Sequence, residues 1–274
     1  MANWFLSDAC RHAMGGQLTS TSLLTAVTAS STANAAGNWS SFYTATPFPA
    51  SIIRAHIGKT GLAISGSNTQ TLLSISTGVS GSEAASMIVQ DIAIGGALSY
   101  AVWDIPVSVP VGSRLTMSIR SAIASKSITM GMMLIGGGST IESGYKAVTY
   151  GAVTTSSKGT TLTTPTSLNV PAAWTVITAA TTSPIRWLLV GVAAPNTTTA
   201  VTADCLIDIG VGSSGVEALL ITNLACAIST NSAICAYPLL FPVSVPVGSR
   251  LVARYQCTSI STTATPSITL TGIG

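Results

Sequence analysis

The chain has 274 residues, of which 47% are hydrophobic and only 7% carry a charge. An average soluble domain has about 25% charged residues, so Ser and Thr must supply most of the polar surface here. The formal net charge is +3, and the basic residues are scattered, which excludes the basic stripe of a nucleic-acid-binding protein. No stretch reaches the ~20 continuous apolar residues of a membrane-spanning helix. We therefore expect neither nucleic acid nor membrane as a partner.

The low charge also bears on the state of association. A protein surface with so few charges is poorly suited to a free monomer. We therefore expect neighbouring copies of the chain to cover much of it, in a homo-oligomer such as a trimer or a ring. Apolar contacts of this kind would depend little on salt, because few exposed charges are present to be screened.

The chain begins with residues 1–20, which have no counterpart in the rest of the sequence. This head contains Trp4, Phe5, Cys10 and His12, a more varied set of side chains than the Ser, Thr and Ala that follow. We interpret it as an N-terminal arm that reaches a neighbouring subunit.

The rest of the chain contains an internal duplication. Residues 106–115 and 242–251 both read PVSVPVGSRL, and the two copies are separated by 136 residues, about half the chain. Weaker matches upstream, such as Ile53-Arg54 with Ile185-Arg186 and Gly78 with Gly210, have a spacing of 132. The change in spacing indicates about four inserted residues, which we assign to residues 229–235. The sequence therefore predicts two repeats of one domain, at 21–138 and 139–274.

Both repeats have the sequence pattern of a β protein. Apolar residues alternate with Ser and Thr at a period of two, and Val, Ile and Thr predominate, as is typical of half-buried strands. About eight short strands per repeat, separated by Gly, Pro and Asn, predict an all-β chain of two tandem β-sandwich domains with a jelly-roll-like topology. The strands are expected at residues 22–28, 39–45, 51–57, 70–77, 84–93, 98–104, 114–121 and 127–135 of the first repeat, and 147–153, 160–164, 173–179, 184–192, 203–210, 216–225, 233–239, 250–257 and 266–272 of the second.

The duplicated decapeptide predicts an edge segment followed by a tight turn. Proline donates no backbone hydrogen bond, so Pro110 and Pro246 favour an edge or turn position. Gly112 and Gly248 accept the positive φ that such a turn requires. We favour a structural corner over a ligand-binding loop.

Two arginine positions are also repeated, Arg54 with Arg186 and Arg114 with Arg250. In a chain so poor in charge, each guanidinium needs acceptors. Strand-end carbonyls, Asp91 or Asp104, or a group on the next subunit are the candidates. We favour a structural use over an interface.

The sequence contains no convincing catalytic or metal-binding constellation. The two histidines, His12 and His56, are not repeated, and the eight acidic residues are spread singly. No strained nucleophile elbow of the GxSxG type occurs, and we predict no cofactor, no metal and no enzymatic activity. Four of the five cysteines fall in the second repeat. A disulfide framework would be shared by both repeats, so we expect reduced, buried thiols.

In residues 105–121 and 241–257, and in its composition, the chain resembles structural proteins of tailed bacteriophages. This resemblance implies a virion component assembled in the host cytoplasm, such as a capsid cement or decoration protein bound to a major capsid protein, or a tail part. The decoration role is our first hypothesis. The alternative is a receptor- or carbohydrate-binding module of a tail or fibre, with Trp39, Tyr43, Tyr150 and Trp174 as candidate glycan platforms.

Overall fold

The computed structural model describes residues 11–15, 24–58, 71–94, 100–136, 147–193, 202–229, 232–235, 240–259 and 265–274. Within these residues the chain is almost entirely β, with one short 3-10 helix at Glu83–Ser86 and no α-helix. The strands are β1 (Arg11–Gly15), β2 (Thr25–Thr28), β3 (Ser40–Tyr43), β4 (Ala50–Gly58), β5 (Thr71–Ser76), β6 (Met87–Ile94), β7 (Tyr100–Ile105), β8 (Leu115–Ser121), β9 (Ser127–Gly136), β10 (Ala147–Tyr150), β11 (Thr160–Thr161), β12 (Thr175–Thr178), β13 (Ile185–Ala193), β14 (Thr202–Val211), β15 (Ala218–Ser229), β16 (Ser232–Cys235), β17 (Leu240–Val245), β18 (Leu251–Cys257) and β19 (Ser267–Ile273).

The first sandwich consists of two antiparallel sheets. One has the order β2–β9–β4–β7, with β1 pairing further along the same edge of β9, and the other has the order β3–β8–β5–β6. Counted from β2 to β9, these orders are first–eighth–third–sixth and second–seventh–fourth–fifth. This arrangement is the jelly roll, in which two Greek keys wrap around one core.

The second sandwich repeats the same topology. Its sheets have the orders β10–β19–β13–β17, with β11 also on β19, and β12–β18–β14–β15–β16. The only added strand among the described residues is β16, which follows β15 in the segment where the sequence indicates an insertion. The predicted fold class, two tandem jelly-roll-like sandwiches, is confirmed.

Each sandwich has a core of strand residues that face inward, and the first core cluster also takes in three residues of the second sandwich, Ala147, Leu189 and Ile273. Leu73, Ile75 and Met130 belong to the first core cluster, and Leu188, Ile207 and Tyr255 belong to the second. All six side chains are almost completely buried. The period-two pattern of the sequence therefore corresponds to alternation between the core and the outer faces of the sheets.

Two of the sequence expectations need correction. Arg11–Gly15, within the predicted arm, pairs with β9 of its own sandwich instead of extending outward. The second correction concerns residues 240–245, which form β17 although the sequence pattern predicted no strand there, because Pro242 lies inside it. This strand is at the end of its sheet, where a missing N–H is tolerated. The proposed boundary at residue 138, and residues 1–10 and 16–20 of the arm, lie outside the described residues.

Candidate functional site

The two sandwiches contact each other through unlike sheets. Strand β6, at the edge of the β3–β8–β5–β6 sheet, packs against β10, β13 and β19 of the second sandwich. These three strands present the outer face of their sheet to β6. As a result every residue of β19 is buried, including Thr269 and Thr271, whose side chains point away from the core of their own sandwich.

The contact is close and combines small residues with larger apolar ones of the second sandwich. The N–H of Ala93, on the free edge of β6, donates a hydrogen bond of 3.0 Å to Oγ1 of Thr269. Gly191 lies so near that a Cβ at this position would be 2.6 Å from the carbonyl oxygen of Ala93. Leu72 and Ala93 form a small buried cluster with Ala193 of the second sandwich. The edge of β6 is thus satisfied by another part of the same chain.

The second sandwich has an equivalent surface that is open. Leu72 pairs with Ala93 across β5 and β6, and Leu206 pairs with Ala225 across the equivalent strands β14 and β15. Leu206 and Ala225 line a groove of about 460 Å³ on the outer face of this sheet. Ala225 is exposed and Leu206 is partly exposed. The residues that receive the second sandwich in one repeat therefore lie uncovered in the other.

The inserting surface is repeated as well. In the second sandwich, Gly191 is the register partner of Thr269. In the first sandwich, the equivalent strands β4 and β9 end their pairing at Ile57 and Met130. Gly58 comes after Ile57 and Thr129 comes before Met130, so the two are neighbours in the antiparallel register. Thr129 is partly exposed. The first sandwich thus offers a Gly–Thr surface of the same kind as the one that covers Ala93.

The duplicated decapeptide forms the same turn in both sandwiches, held by a buried threonine. The Oγ1 atom of Thr46 donates to the carbonyl of Pro110 (2.7 Å) and accepts from the N–H of Ser113 (3.0 Å). Thr181 does the same with Pro246 (2.9 Å) and Ser249 (3.1 Å). The backbone groups of each threonine add two further hydrogen bonds to the turn.

The tip of this turn points to solvent. Gly112 and Gly248 have φ values of 77° and 78°, the left-handed region that favours glycine. Val111 and Val247, next to them, are each 61% exposed. Pro110 and Pro246 are also exposed.

The arginine that follows each turn forms a repeated ion pair. Arg114 contacts Glu83 at 2.6 Å and Arg250 contacts Glu217 at 2.9 Å. The same guanidinium groups donate to the carbonyls of Gly78 and Gly212, at 3.1 and 3.0 Å.

Sequence reasoning missed these two carboxylates. Glu83 and Glu217 have a spacing of 134, between the spacings of 132 and 136 used to align the repeats. The strand registers align Gly78 with Gly212 instead of Gly210. The loop from the glutamate to the next strand is two residues longer in the first repeat, because Met87 on β6 corresponds to Leu219 on β15. An alignment that allowed a third spacing would have found the pair.

Both carboxylates are strongly held. Besides the arginine, Glu83 accepts from the N–H of Gly81 (2.7 Å) and Glu217 from that of Gly215 (3.0 Å). The arginine hydrogen bond, followed by backbone N–H donors, lowers the pKa of each carboxyl below its ordinary value of 4.5. These pairs fix the loop between the fourth and fifth strands of each jelly roll against the turn.

The other repeated arginine position has diverged. Arg54 forms a bidentate pair with Asp104 on the neighbouring strand, with Nε–Oδ1 and Nη2–Oδ2 distances of 2.6 and 2.8 Å. It lies on the outer face of its sheet. Arg186 is exposed, at a register irregularity of β13. The two positions therefore have different environments, and an interface role for either remains a prediction.

The four candidate glycan platforms do not form one exposed surface. Tyr43 and Tyr150 are buried. The hydroxyl of Tyr43 donates to the carbonyl of Met132, and that of Tyr150 contacts the hydroxyl of Thr182. Burial raises the pKa of Tyr43 to about 12. Trp174 is partly buried, and the guanidinium of Arg254 lies 4.3 Å from its ring centre. Trp39 alone is partly exposed without such a stacked cation among the described residues. The two tyrosines are thus wrong as platforms.

No group of three or more potential metal ligands occurs within the described ranges. Over the same residues, no helix is long and apolar enough to cross a membrane.

Sequence comparison finds no matching family model and no matching curated relative. Among solved structures, the chain is similar to the STIV MCP, a major capsid protein, with a TM-score of 0.43 and 9% identity over 96% of both chains. It is also similar to the tandem CBM22-1–CBM22-2 domain of Paenibacillus barcinonensis Xyn10C, with a TM-score of 0.25 and 7% identity over 83% of this chain and 78% of that one. At these scores we base no functional argument on either.

Proposed function

We propose that this protein is a non-enzymatic structural subunit of a virion, which associates with copies of itself through the outer faces of its sheets. The observation that carries the proposal is the open groove at Leu206 and Ala225. In the first sandwich the equivalent residues, Leu72 and Ala93, are covered by the second sandwich of the same chain. The natural occupant of the open groove is therefore the first sandwich of another copy.

The proposed contact is head-to-tail. The Gly58–Thr129 surface of one copy would enter the groove at Ala225 of the next, as Gly191 and Thr269 meet Ala93 within one chain. A heterologous contact of this kind produces a ring when its rotation closes. In a ring of three chains, the internal and the intermolecular contact would alternate around six sandwiches. Strand β16 extends the sheet beside the groove, so the intermolecular contact would not be an identical copy of the internal one.

The low charge of the chain fits such an assembly. Burial of apolar surface contributes roughly 25 cal/mol per Å², and the costs of association offset much of that gain. A shell that repeats the contact many times needs no strong charges to hold. For the cement or decoration role, a major capsid protein would be the second partner. The exposed valines at the repeated turns, Val111 and Val247, are the candidate contact for it.

The test is the native mass of the chain at low and high salt. We expect a closed oligomer that persists at high salt. Ala225→Arg should convert it to a monomer without loss of thermal stability, because the side chain is exposed within the chain. Thr129→Arg should do the same from the opposite surface.

The matched control is Ala218→Arg, an exposed alanine at the other end of β15. It lies seven residues, or roughly 23 Å, from Ala225 and should leave the oligomer intact. A monomeric wild-type chain, or an oligomer that Ala225→Arg leaves unchanged, would overturn the proposal. If the wild-type ring also binds an added major capsid protein, the decoration role gains support over a self-sufficient shell.

A further inference from the structure

The cysteines of the second sandwich form a transverse row in one sheet. Cys205 on β14 is directly opposite Cys226 on β15 and Cys257 on β18, and Cys226 is opposite Cys235 on β16. Cys205, Cys226 and Cys257 are present as buried thiols that belong to the same core cluster. Strand partners that lie directly opposite share one face of a sheet, so these three thiols are neighbours inside the sandwich. The first sandwich has no equivalent, since none of its residues beyond position 10 is a cysteine.

The backbone hydrogen bonds distinguish the two neighbours of Cys205. The N–H of Thr258 donates to the carbonyl of Asp204 at 3.0 Å, so Asp204 directs its carbonyl toward β18. Backbone groups alternate in direction along a strand, so those of Cys205 point toward β15. The carbonyl of Cys257 likewise points away from β14, because it accepts from the N–H of Asn169 at 3.0 Å.

It follows that Cys205 and Cys257 are a non-hydrogen-bonded pair, with a Cα separation of about 4.5 Å, while Cys205 and Cys226 are a hydrogen-bonded pair at about 5.5 Å. Side chains approach each other more closely in the former kind of pair. Disulfides require Cβ atoms about 3.5–4.5 Å apart. The register therefore favours Cys257 over Cys226 as the partner of Cys205.

We propose that Cys205 and Cys257 are an oxidative modification site, where a low-molecular-weight disulfide such as oxidised glutathione converts the two thiols into a cross-strand disulfide. One cysteine thiolate attacks the small disulfide, which forms a mixed disulfide and releases one glutathione thiol. The second cysteine thiolate then attacks the protein sulfur of the mixed disulfide and releases the other glutathione. The two cysteines lose two protons and two electrons, and the small disulfide gains both.

The reaction requires a local rearrangement. The thiol of Cys257 donates to the carbonyl of Ser259 at 2.8 Å, so it must leave this acceptor and rotate toward Cys205. Both thiols are almost inaccessible to solvent, so attack needs a transient opening of the sheet. The site is therefore suited to slow oxidation after release from a reducing cytoplasm, and the cross-link would join β14 to β18 in the sheet that carries the open groove.

The test uses two full-length variants that each remove one neighbour of Cys205. Cys226→Ala retains the Cys205–Cys257 pair, and Cys257→Ala retains the Cys205–Cys226 pair. Each is held in a buffer of oxidised and reduced glutathione, in water and at a urea concentration just below unfolding. Peptide mapping then identifies the linked cysteines. We expect the Cys205–Cys257 link in the first variant, with the loss of two hydrogen masses, and no Cys205–Cys226 link in the second.

The thermal midpoint of the oxidised Cys226→Ala chain should rise by roughly 10 °C, and a reductant should reverse the rise. The absence of the Cys205–Cys257 link even near the unfolding transition would overturn the proposal. Equal formation of the Cys205–Cys226 link in the other variant would overturn it as well. The peptide map and the thermal midpoint are separate readouts from the native mass, which alone tests self-association.

Discussion

The two sandwiches share a topology, a threonine-held turn and an arginine–glutamate pair, and differ in what covers their outer faces. In the first sandwich, Leu72 and Ala93 are buried against the second sandwich, whereas the equivalent Leu206 and Ala225 line an open groove. The cores have diverged too. Lys126, which is buried in the first sandwich, is replaced by Pro266 in the second. The two positions are equivalent, because the carbonyl of Lys126 accepts from the N–H of Ala29 and the carbonyl of Pro266 accepts from the N–H of Leu162.

The difference shows which constraints duplication preserves. The threonine-held turn and the arginine–glutamate pair occur in both copies, because their contacts lie inside one sandwich. The leucine–alanine pair at the contact between the sandwiches also occurs in both copies, but it is covered in the first sandwich and uncovered in the second. The second sandwich keeps the leucine and the alanine of this surface, but nothing among the described residues of the chain covers them. A neighbouring copy can therefore use them.

The largest effect is expected at Lys126. Burial lowers the pKa of its ammonium group from 10.5 to about 8. Since the unfolded chain then binds more protons between pH 8 and 10.5, stability should increase with pH across this interval. Lys126→Met should remove that slope and stabilise the chain at pH 7 by about 3 kcal/mol. Urea unfolding at several pH values checks this, with the partly exposed Lys158→Met as control. An unchanged pH slope would contradict the expectation.

The contact between the sandwiches should be nearly as sensitive. A Cβ at Gly191 would meet the backbone of Ala93, which cannot move as a side chain can. Gly191→Ala should therefore cost about 2 kcal/mol in the free energy of unfolding. Gly58→Ala, at the equivalent position of the first sandwich, is the comparison, and we expect a smaller loss in the monomer because the neighbouring Thr129 is partly exposed. Equal losses would mean that the two glycines do not differ in environment. Denaturant titrations of both variants decide between these results.

The repeated turn should respond equally in the two copies. Thr46→Val and Thr181→Val remove the hydroxyl that serves Pro110 and Ser113, or Pro246 and Ser249, and each should cost about 1–2 kcal/mol. Thr46→Ser and Thr181→Ser retain the oxygen and should cost less. The comparison is made by thermal unfolding. A marked difference between the stability losses of Thr46→Val and Thr181→Val would show that contacts other than the threonine hydroxyl hold one of the turns.

The smallest effect is expected from the duplicated ion pairs. The pKa values of Glu83 and Glu217 are lowered in the folded state. Their contribution to the free energy of unfolding is therefore complete above about pH 4.5 and is lost as the pH falls through the folded-state pKa. Glu83→Gln with Glu217→Gln should weaken the acid destabilisation of the wild-type chain. Thermal midpoints from pH 3 to 7 test this, with the exposed Asp204→Asn as control. A wild-type acid profile in the double variant would contradict it.

Much of the fold could be predicted from the sequence. The period-two alternation of Val, Ile and Thr located most strands to within a few residues, and the repeated decapeptide revealed the duplication. Strand β17 escaped prediction because Pro242 contradicts the usual strand pattern, and only its place at a sheet edge makes it acceptable. Glu83 and Glu217 escaped because the loop that follows each glutamate differs in length by two residues, which only the pairing between the flanking strands reveals.

What the sequence alone determined is the β class, the duplication and the tight turn at residues 110–113 and 246–249, because periodicity, proline and glycine act through local backbone preferences. Tertiary structure decided the rest. Whether Tyr43 is buried, whether Ala93 is covered and Ala225 open, and which cysteine lies closest to Cys205 depend on which strands become neighbours. Those neighbours are distant in the chain, so their contacts are set by packing and not by local sequence.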